Sequence, residues 1–174
     1  MGFLNDRLDG VSDILHRADG KSILDVGCSR GMVALQFVMA GATLVHGCDI
    51  YEPGLQAARE VFADWPVSSR FENINLAGGP DALTKGFGND YQSRYDIVLY
   101  LAIHHKLKRL MDPQLLIALL DHIFSRTGKW FVWRGPVDGY PDIVAGAQRN
   151  GFSLVQYSII SEAVTDPAAI FCRK

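Results

Sequence analysis

Short apolar runs alternate along this chain with segments in which apolar residues recur at every third or fourth position. The runs 23–26, 43–48 and 95–101 have the composition and length of buried strands. Residues 31–40 and the segment from Pro53 to about Phe62 have the spacing of amphipathic helices, and proline is favoured in a first helical turn. This alternation predicts a mostly parallel sheet with helices on both faces.

The same alternation continues through the rest of the chain. Asp112 is followed by Pro113, a pairing typical of a helix start, and the helix is expected to reach about Ser125. Residues 77–90 are rich in glycine and predict at most one helical turn, from Pro80. The remaining predictions are strands over about 69–76, 129–133, 152–160 and 168–172, and helices over 3–18 and 141–149.

The last two predicted strands are separated by a short connection, SEAVTDP. A crossover helix does not fit into it, so these strands are expected to pair antiparallel. The predicted fold class is therefore α/β, with a doubly wound, mostly parallel seven-stranded sheet whose last strand is antiparallel. Residues 1–174 are interpreted as a single domain, with the leading helix inside residues 1–20.

Composition narrows the possible partners. The net charge of -2 and the absence of a basic stripe argue against a nucleic-acid partner. No apolar stretch is long enough to span a bilayer, and the polar start of the chain does not resemble a signal peptide. Cys28, Cys48 and Cys172 are unclustered, which predicts reduced thiols in a cytoplasmic protein rather than disulfides or a zinc site.

A glycine turn follows the first predicted strand, in the stretch SILDVGCSRGMVALQF. The dinucleotide pattern G-x-G-x-x-G fails, since Gly27 is followed by Ser29 and Met32 at the next two glycine positions. The phosphate-binding pattern that ends in Gly-Lys-Ser/Thr is also missing. The turn between Gly27 and Gly31 therefore predicts close approach of a ligand that is not a pyrophosphate.

An acidic residue ends the second predicted strand. Asp49 lies 22 positions after Gly27, where a carboxylate can accept hydrogen bonds from the two hydroxyls of a ribose. A structural alternative stays open, because an Asp after a strand is often only a cap for the next helix. Together the turn and the acid predict a ligand with a ribose and no diphosphate.

Four segments in order resemble the class I S-adenosylmethionine-dependent methyltransferases. ILDVGCSRG resembles their first motif, GCDI their acid at the end of the second strand, YDIVLYLAIHHKL their fourth-strand motif, and DPAAIFCRK their antiparallel last strand. The resemblance runs from about residue 21 to 173. It implies S-adenosylmethionine as the cofactor, a ligand with a nucleoside, an amino acid end and no phosphate.

The resemblance also implies which residues bind the cofactor. The turn would form the floor of the site, Asp25 would attract the ammonium, and Asp49 would bind the ribose. Asn75 and the backbone N–H of Leu76 would contact the adenine edge. The full implied set is Asp25, Gly27, Cys28, Ser29, Gly31, Asp49, Ile50, Tyr51, Asn75 and Leu76.

Methyl transfer from a sulfonium depends mainly on alignment of the acceptor, which can supply about 7–11 kcal/mol. A general base is needed only if the acceptor must lose a proton. His104 and His105 follow the fourth strand and are the candidate bases, although in relatives with this pair one ring often holds the loop instead. No acidic cluster has metal-ligand spacing, so no metal is expected.

The acceptor site is expected beyond the fifth strand, at Trp133, Arg134 and Tyr140, where an arginine beside aromatic rings could bind an anionic or planar molecule. The alternative, that Trp130 and Trp133 are core and helix-packing residues, is slightly favoured. Lys106 to Arg109 are expected to form a solvated loop end. The short leading segment suggests an open site, suited to a glycan, a protein side chain or a small molecule.

Three functions remain open from the sequence. The first is an S-adenosylmethionine-dependent methyltransferase with an unidentified acceptor. The second is a non-catalytic subunit or sensor that binds the same cofactor. The third, a nicotinamide-dependent oxidoreductase, is disfavoured by Ser29 and by the closing hairpin. The fourth-strand loop lacks the Asn/Asp-Pro-Pro-aromatic signature of amino-group methylation, which argues against DNA bases and protein glutamine as acceptors.

Overall fold

The computed structural model describes Leu8, residues 10–158 and residues 166–174. Their strands form one seven-stranded sheet in the order β3-β2-β1-β4-β5-β7-β6. The single-domain organisation stays a prediction. The strands are β1 (Ser22–Val26), β2 (Leu44–Asp49), β3 (Ser68–Asn73), β4 (Tyr95–Leu101), β5 (Thr127–Arg134), β6 (Phe152–Ser158) and β7 (Ala168–Arg173).

Six α-helices connect these strands within the described residues. They are α1 (Met32–Met39), α2 (Glu52–Ala63), α3 (Asp81–Phe87), α4 (His104–Leu110), α5 (Pro113–Arg126) and α6 (Tyr140–Arg149). The predicted cap of α5 is confirmed, since the Asp112 side chain accepts hydrogen bonds from the backbone N–H groups of Gln114 and Leu115.

Strand order places a crevice beside β1. Parallel partners flank this strand on both sides, β2 on one and β4 on the other, and the connections leave in opposite directions. Ligands of open α/β sheets bind at such a switch point, outside the carboxyl ends of the strands. The predicted doubly wound sheet is confirmed, and it brings the loops after β1, β2 and β4 to one edge.

The closing strands pair as predicted. β7 lies between β5 and β6 and is antiparallel to both. Of the residues that join β6 to β7, 159–165 lie outside the described part of the chain, and they include the last two residues of the predicted strand 152–160.

The hydrophobic core has two parts. One cluster includes Tyr100, Phe131 and Trp133, and the other includes Phe37 and Phe62. Four of the five residues of β1 are fully or almost fully buried, as expected for a strand covered on both faces. The core thus fixes β1, and with it the start of the glycine turn.

Several sequence-based boundaries differ from the structure. The described part of the predicted helix 3–18 is mainly a 3₁₀ helix, Ser12–Arg17, and residues 1–7 and 9 lie outside the described residues. The strand predicted to reach Leu76 ends at Asn73, and Leu76–Gly78 form a 3₁₀ helix capped by the Asn75 side chain. That cap favours a turn over a longer strand.

Two segments are more helical than predicted. The glycine-rich segment contains α3, longer than the single turn expected, and it buries Leu83 and Phe87. The expected loop end Lys106 to Arg109 is wrong, because these residues belong to α4. Burial of His104 and Leu107, three positions apart, on one face stabilises this short helix through tertiary contacts that a local pattern does not reveal.

Candidate functional site

A cavity of about 550 Å³ lies at the carboxyl ends of β1, β2 and β4. This volume is within the range typical of small-molecule sites. Of the ten predicted cofactor residues, nine line it: Asp25, Gly27, Cys28, Ser29, Asp49, Ile50, Tyr51, Asn75 and Leu76.

The glycine turn is tied to β2 by its backbone. The N–H groups of Gly27 and Cys28 both donate to the carbonyl of Cys48, at 2.8 and 3.0 Å. Gly27 has φ 84° and Ser29 has φ 51°, both in the left-handed region. A left-handed Ser at the cavity wall is uncommon, and such strain concentrates at ligand sites.

Asp49 fastens the turn from the opposite side. One carboxylate oxygen accepts a hydrogen bond from the N–H of Ser29 at 2.9 Å, and the other accepts from the N–H of Tyr51 at 3.0 Å. A carboxylate has about four acceptor positions, so Asp49 keeps capacity for two further donors from the cavity. Asp49 is not a side-chain cap of α2, whose N-cap residue is Tyr51. Its contacts to the turn are compatible with a binding role.

Asp25 is the buried charge of the site. Its side chain lines the cavity, yet the residue is only 3% exposed and accepts no hydrogen bond from the described part of the chain. Burial, with a smaller contribution from the nearby Asp49 carboxylate, raises the pKa of Asp25 to about 7. A cationic ligand group beside it would restore the carboxylate form.

The wall after β2 and β3 is apolar and open. Ile50 is 64% exposed and Tyr51 is 50% exposed, an unusual degree for side chains that line a cavity. The Asn75 side-chain oxygen accepts a hydrogen bond from the N–H of Ala77 at 3.0 Å. The N–H of Leu76 stands at the start of the 3₁₀ helix, where a backbone N–H has no intrahelical acceptor.

Gly31 does not line the cavity. It has φ 68°, and a Cβ there would lie 3.2 Å from Ala58 and from Phe62, both on α2. Glycine at this position therefore permits the close packing of α2 against the start of α1. Its predicted place in the floor of the site is an indirect one, through the shape of the turn.

Neither candidate base lines the cavity. His104 is 2% exposed; its Nε2 lies 3.1 Å from the Asp142 carboxylate and its Nδ1 lies 3.3 Å from the Tyr100 hydroxyl. A carboxylate only accepts, so Nε2 carries the proton and Nδ1 accepts from Tyr100. The Nδ1 of His105 is buried without a hydrogen-bond partner in the described structure.

Of the three predicted acceptor residues, one lines the cavity and two do not. Arg134 lines the cavity, whereas Trp133 is fully buried inside the core and Tyr140 packs on it with ring centroids 5.7 Å apart. The core alternative for Trp133 is the one that the structure favours. β4 and β5 place Arg134 at the cavity through their register, in which it pairs with Leu101.

Sequence reasoning missed one whole wall of the cavity. Ile103, Lys106, Leu107 and Leu110 line it from α4 and its N-cap. Their spacing is that of one helical face, and this pattern was the signal available in the sequence. Ala102 joins them from the turn before α4, with φ 55°.

Known proteins share this architecture. No protein-family profile matches the sequence. A magnesium protoporphyrin IX methyltransferase from Synechocystis PCC 6803, solved with bound S-adenosylmethionine, superimposes with a TM-score of 0.71 at 20% identity, covering 100% of this chain and 85% of that one. This chain has the class I methyltransferase fold.

Curated methyltransferases resemble the chain over part of its length. The ribosomal protein L11 methyltransferase of Laribacter hongkongensis is 31% identical over 93 residues, which cover 53% of this chain and 27% of that protein. The ubiquinone biosynthesis O-methyltransferase of Neisseria meningitidis is 41% identical over 54 residues, 31% of this chain and 21% of that protein. The matches thus span about a quarter of these relatives.

Among the described residues, no helix has both the length and the apolarity needed to cross a bilayer. The sequence-based expectation that nucleic acid is an unlikely partner is not supported by the comparisons.

Proposed function

We propose that this chain binds S-adenosylmethionine in the cavity beside β1 and transfers its methyl group to an acceptor. The observation that carries the proposal is the convergence of the glycine turn, Asp25 and Asp49 in one cavity at the switch point of a methyltransferase fold. The curated relatives and the Synechocystis structure support it.

The polar groups of the cavity fit the polar groups of this ligand. Asp49 retains acceptor positions for the two ribose hydroxyls while it holds the turn. Asp25 is a buried carboxyl without a described hydrogen-bond partner, and a ligand ammonium would supply one. The two carboxyl groups line one cavity and are close enough to interact electrostatically, so one ligand can contact both.

The apolar wall fits the adenine. Ile50 and Tyr51 expose apolar surface that a planar ring would cover, which favours binding through the hydrophobic effect. The N–H of Leu76 and the amide of Asn75 are the groups we assign to the adenine edge. The Asn75 oxygen already caps a 3₁₀ helix, so the amide nitrogen is its unengaged end.

The chemistry that the cofactor supplies is a methyl group on a sulfonium, already activated for in-line displacement. The residues of the chain align the acceptor and exclude water from the cavity. No histidine belongs to the described lining, so we assign proton removal to neither His104 nor His105. We assign His104 instead a positioning role, between α4 and α6.

The acceptor is a glycan, a small molecule, a protein side chain or nucleic acid. Exposed Leu110 and Lys106 leave the mouth of the cavity open on the α4 side, which supports an acceptor that enters from outside. We place the protein in the cytoplasm; the unpaired state of Cys28, Cys48 and Cys172 supports this proposal.

Isothermal titration calorimetry with S-adenosylhomocysteine tests the binding. We expect micromolar affinity, no affinity for NAD, and a loss of about tenfold or more in Asp49→Asn, since hydrogen bonds to a charged group contribute about 1.5–3 kcal/mol. Asp64→Asn, at an exposed acid outside the cavity, is the matched control. Binding of NAD in place of S-adenosylhomocysteine would overturn the assignment.

Asp49 also holds the turn, so Asp49→Asn could lose affinity because the turn is destabilised. A second variant distinguishes this from the loss of a ligand contact. Ile50→Ser changes an exposed side chain and is expected to weaken binding without a change in thermal stability. Mass-spectrometric detection of S-adenosylhomocysteine formed with candidate acceptors then separates a methyltransferase from a non-catalytic binding subunit. Binding without turnover on any acceptor class would favour the subunit.

A further inference from the structure

Charges of opposite sign occupy opposite halves of the cavity. The acids Asp25 and Asp49 line the half formed by β1 and β2. The cations Lys106 and Arg134 line the half formed by α4 and the end of β5. No acidic residue of the described chain lines that second half. The acids match the hydroxyls and ammonium of the proposed cofactor, and we assign its carboxylate to the backbone N–H groups at the start of α1. On this assignment Lys106 is left to a different molecule.

The second half is otherwise apolar. Ile103, Leu107 and Leu110 present one face of α4 and its N-cap to the cavity, and Leu101 adds the end of β4. Leu110 is 71% exposed, so this apolar wall continues to the mouth of the cavity. A bound molecule with an apolar body would bury this surface and gain the corresponding hydrophobic stabilisation.

Lys106 and Lys108 both lie on α4 but differ in their contacts. Lys108 lies 2.8 Å from the Asp142 carboxylate and is thereby engaged in the link between α4 and α6. Lys106 is exposed, lines the cavity and forms no ion pair within the described structure. Its ammonium can therefore meet an anion that enters the cavity without breaking an existing contact.

We propose that the methyl acceptor is an amphipathic acid, a molecule with an apolar body and a carboxylate or phosphate group. This inference rests on the proposed function, because it assigns an occupant to the half of the cavity that the cofactor does not fill. The apolar body packs on the α4 wall, and Lys106 binds the anionic group, with Arg134 as the second cation of the same half. The anion is the recognition group, whichever atom accepts the methyl.

A nucleic-acid backbone fits the same half less well. Its binding depends on several cations that track successive phosphates. Here the chain has a net charge of -2, and Lys108 and Arg149 near α4 and α6 are paired with Asp142 and Asp121. Two cations beside an apolar wall, Lys106 and Arg134, match a small amphipathic acid better.

Calorimetry on the protein saturated with S-adenosylhomocysteine tests the proposal. The probes are 2-naphthoate and 2-naphthamide, which share a shape and differ in charge, together with acetate as the anion alone. We expect 2-naphthoate to bind roughly tenfold more tightly than 2-naphthamide, because a charge-assisted hydrogen bond is formed only with the acid. Acetate is expected to bind more weakly than either naphthalene probe.

Variants of α4 show which residue causes the preference for 2-naphthoate over 2-naphthamide. Lys106→Gln is expected to bring the two naphthalene probes within about twofold of each other, and Lys106→Arg to retain the preference. Arg109→Gln removes a cation from the same helix outside the cavity lining and is the matched control. The affinity for S-adenosylhomocysteine is expected to stay unchanged in Arg109→Gln, and in Lys106→Gln it is expected to change less than the affinity for 2-naphthoate.

The possible failures are distinguishable. If S-adenosylhomocysteine does not bind, the proposed function fails before the probes are used. If it binds and the acid shows no preference over the amide, or the preference survives Lys106→Gln, the amphipathic acid is wrong while the cofactor assignment stands. If a short RNA oligonucleotide binds more tightly than 2-naphthoate and loses that affinity in Lys106→Gln, nucleic acid replaces the small acid.

Discussion

The imidazole Nε2 of His104 lies 3.1 Å from the Asp142 carboxylate, and this contact joins α4 to α6 behind the cavity. A Cβ at Gly139 would lie 2.9 Å from the His104 ring, so glycine there leaves space for the ring. Burial, opposed in part by the Asp142 hydrogen bond, lowers the pKa of His104, and the ring is neutral at pH 7. The contact is a hydrogen bond that positions the helix wall.

Loss of the His104 ring should therefore loosen the α4 wall. We expect His104→Ala to lower the free energy of unfolding by about 1–3 kcal/mol, as for a buried group left without its partner. It should weaken 2-naphthoate binding more than S-adenosylhomocysteine binding, because α4 lines only the acceptor half. His16→Ala, at an exposed histidine, should change stability by less than about 0.5 kcal/mol.

The pH dependence of stability gives the same variant a second readout. A folded-state pKa below the ordinary value of about 6.5 means that the stability contribution is complete above that pH and is lost as the pH falls through the folded pKa. Urea unfolding from pH 7 to pH 5 should show a steeper loss in the wild type than in His104→Ala. Parallel curves would contradict the burial of a neutral ring.

Two constraints favour glycine at position 27, a left-handed backbone conformation and a lack of space for a Cβ, and variants can separate them. Its φ is 84°, and a Cβ there would lie 3.2 Å from the Cβ of Ile103. Gly20 has φ 68° with nothing within 4 Å of the added Cβ, so Gly20→Ala measures the backbone cost alone. We expect about 1–2 kcal/mol for Gly20→Ala and a larger loss for Gly27→Ala.

The lack of space beside Ile103 also predicts that a second substitution partly restores the stability of Gly27→Ala. Ile103→Ala removes Cγ1 and Cδ1, two of the three Ile103 atoms that the new Cβ would approach, and keeps the third, Cβ, so the double variant should recover part of the extra loss in urea unfolding. Equal losses at Gly20 and Gly27 would show that the Ile103 contact is unimportant. S-adenosylhomocysteine affinity should fall in Gly27→Ala and stay unchanged in Gly20→Ala.

Asp25 should make the protein less stable as the pH rises. Its folded-state pKa of about 7 lies above its ordinary value of 3.8, so its stability contribution is complete below pH 4 and is lost as the pH rises through about 7. Asp25→Asn should then be more stable than the wild type above pH 7, by up to about 4 kcal/mol at 1.36 kcal/mol per pKa unit. A constant difference from pH 4 to pH 8 would contradict this.

Ligand binding should release the proton that Asp25 holds. Calorimetry of S-adenosylhomocysteine binding near pH 6.5, in two buffers of different ionisation enthalpy, should show release of up to one proton in the wild type. Asp25→Asn should release none, and the control Asp64→Asn should behave as the wild type. Equal release from all three proteins would assign the proton elsewhere.

Much of the cofactor half could be predicted from the sequence because its residues follow strands directly. Gly27 and Asp49 stand at the ends of β1 and β2, and in a parallel sheet the carboxyl ends of neighbouring strands meet at one edge. Local patterns therefore sufficed to bring these residues together. Gly31 shows the limit of that reasoning, since its place in a motif did not reveal that it faces α2 instead of the cavity.

The acceptor half depended on contacts between distant segments. The α4 helix is short, and isolated helices of its length are unstable, so its existence depends on burial of Leu107 and on the contact of His104 with Asp142. Both histidines looked like bases in the sequence because they follow a strand at the ligand edge. The helical turn carries the ring of His104 away from the cavity.

The sequence by itself determined the order of strands and helices, the glycine turn and the acid after β2, because hydrophobic periodicity and turn chemistry act over a few residues. Only the tertiary structure decided that Lys106 lines the cavity, that Trp133 is core and that Asp25 is buried beside Asp49. Those outcomes depend on which face of a helix or strand meets a partner far along the chain. Side-chain direction and burial follow from packing, which no local pattern records.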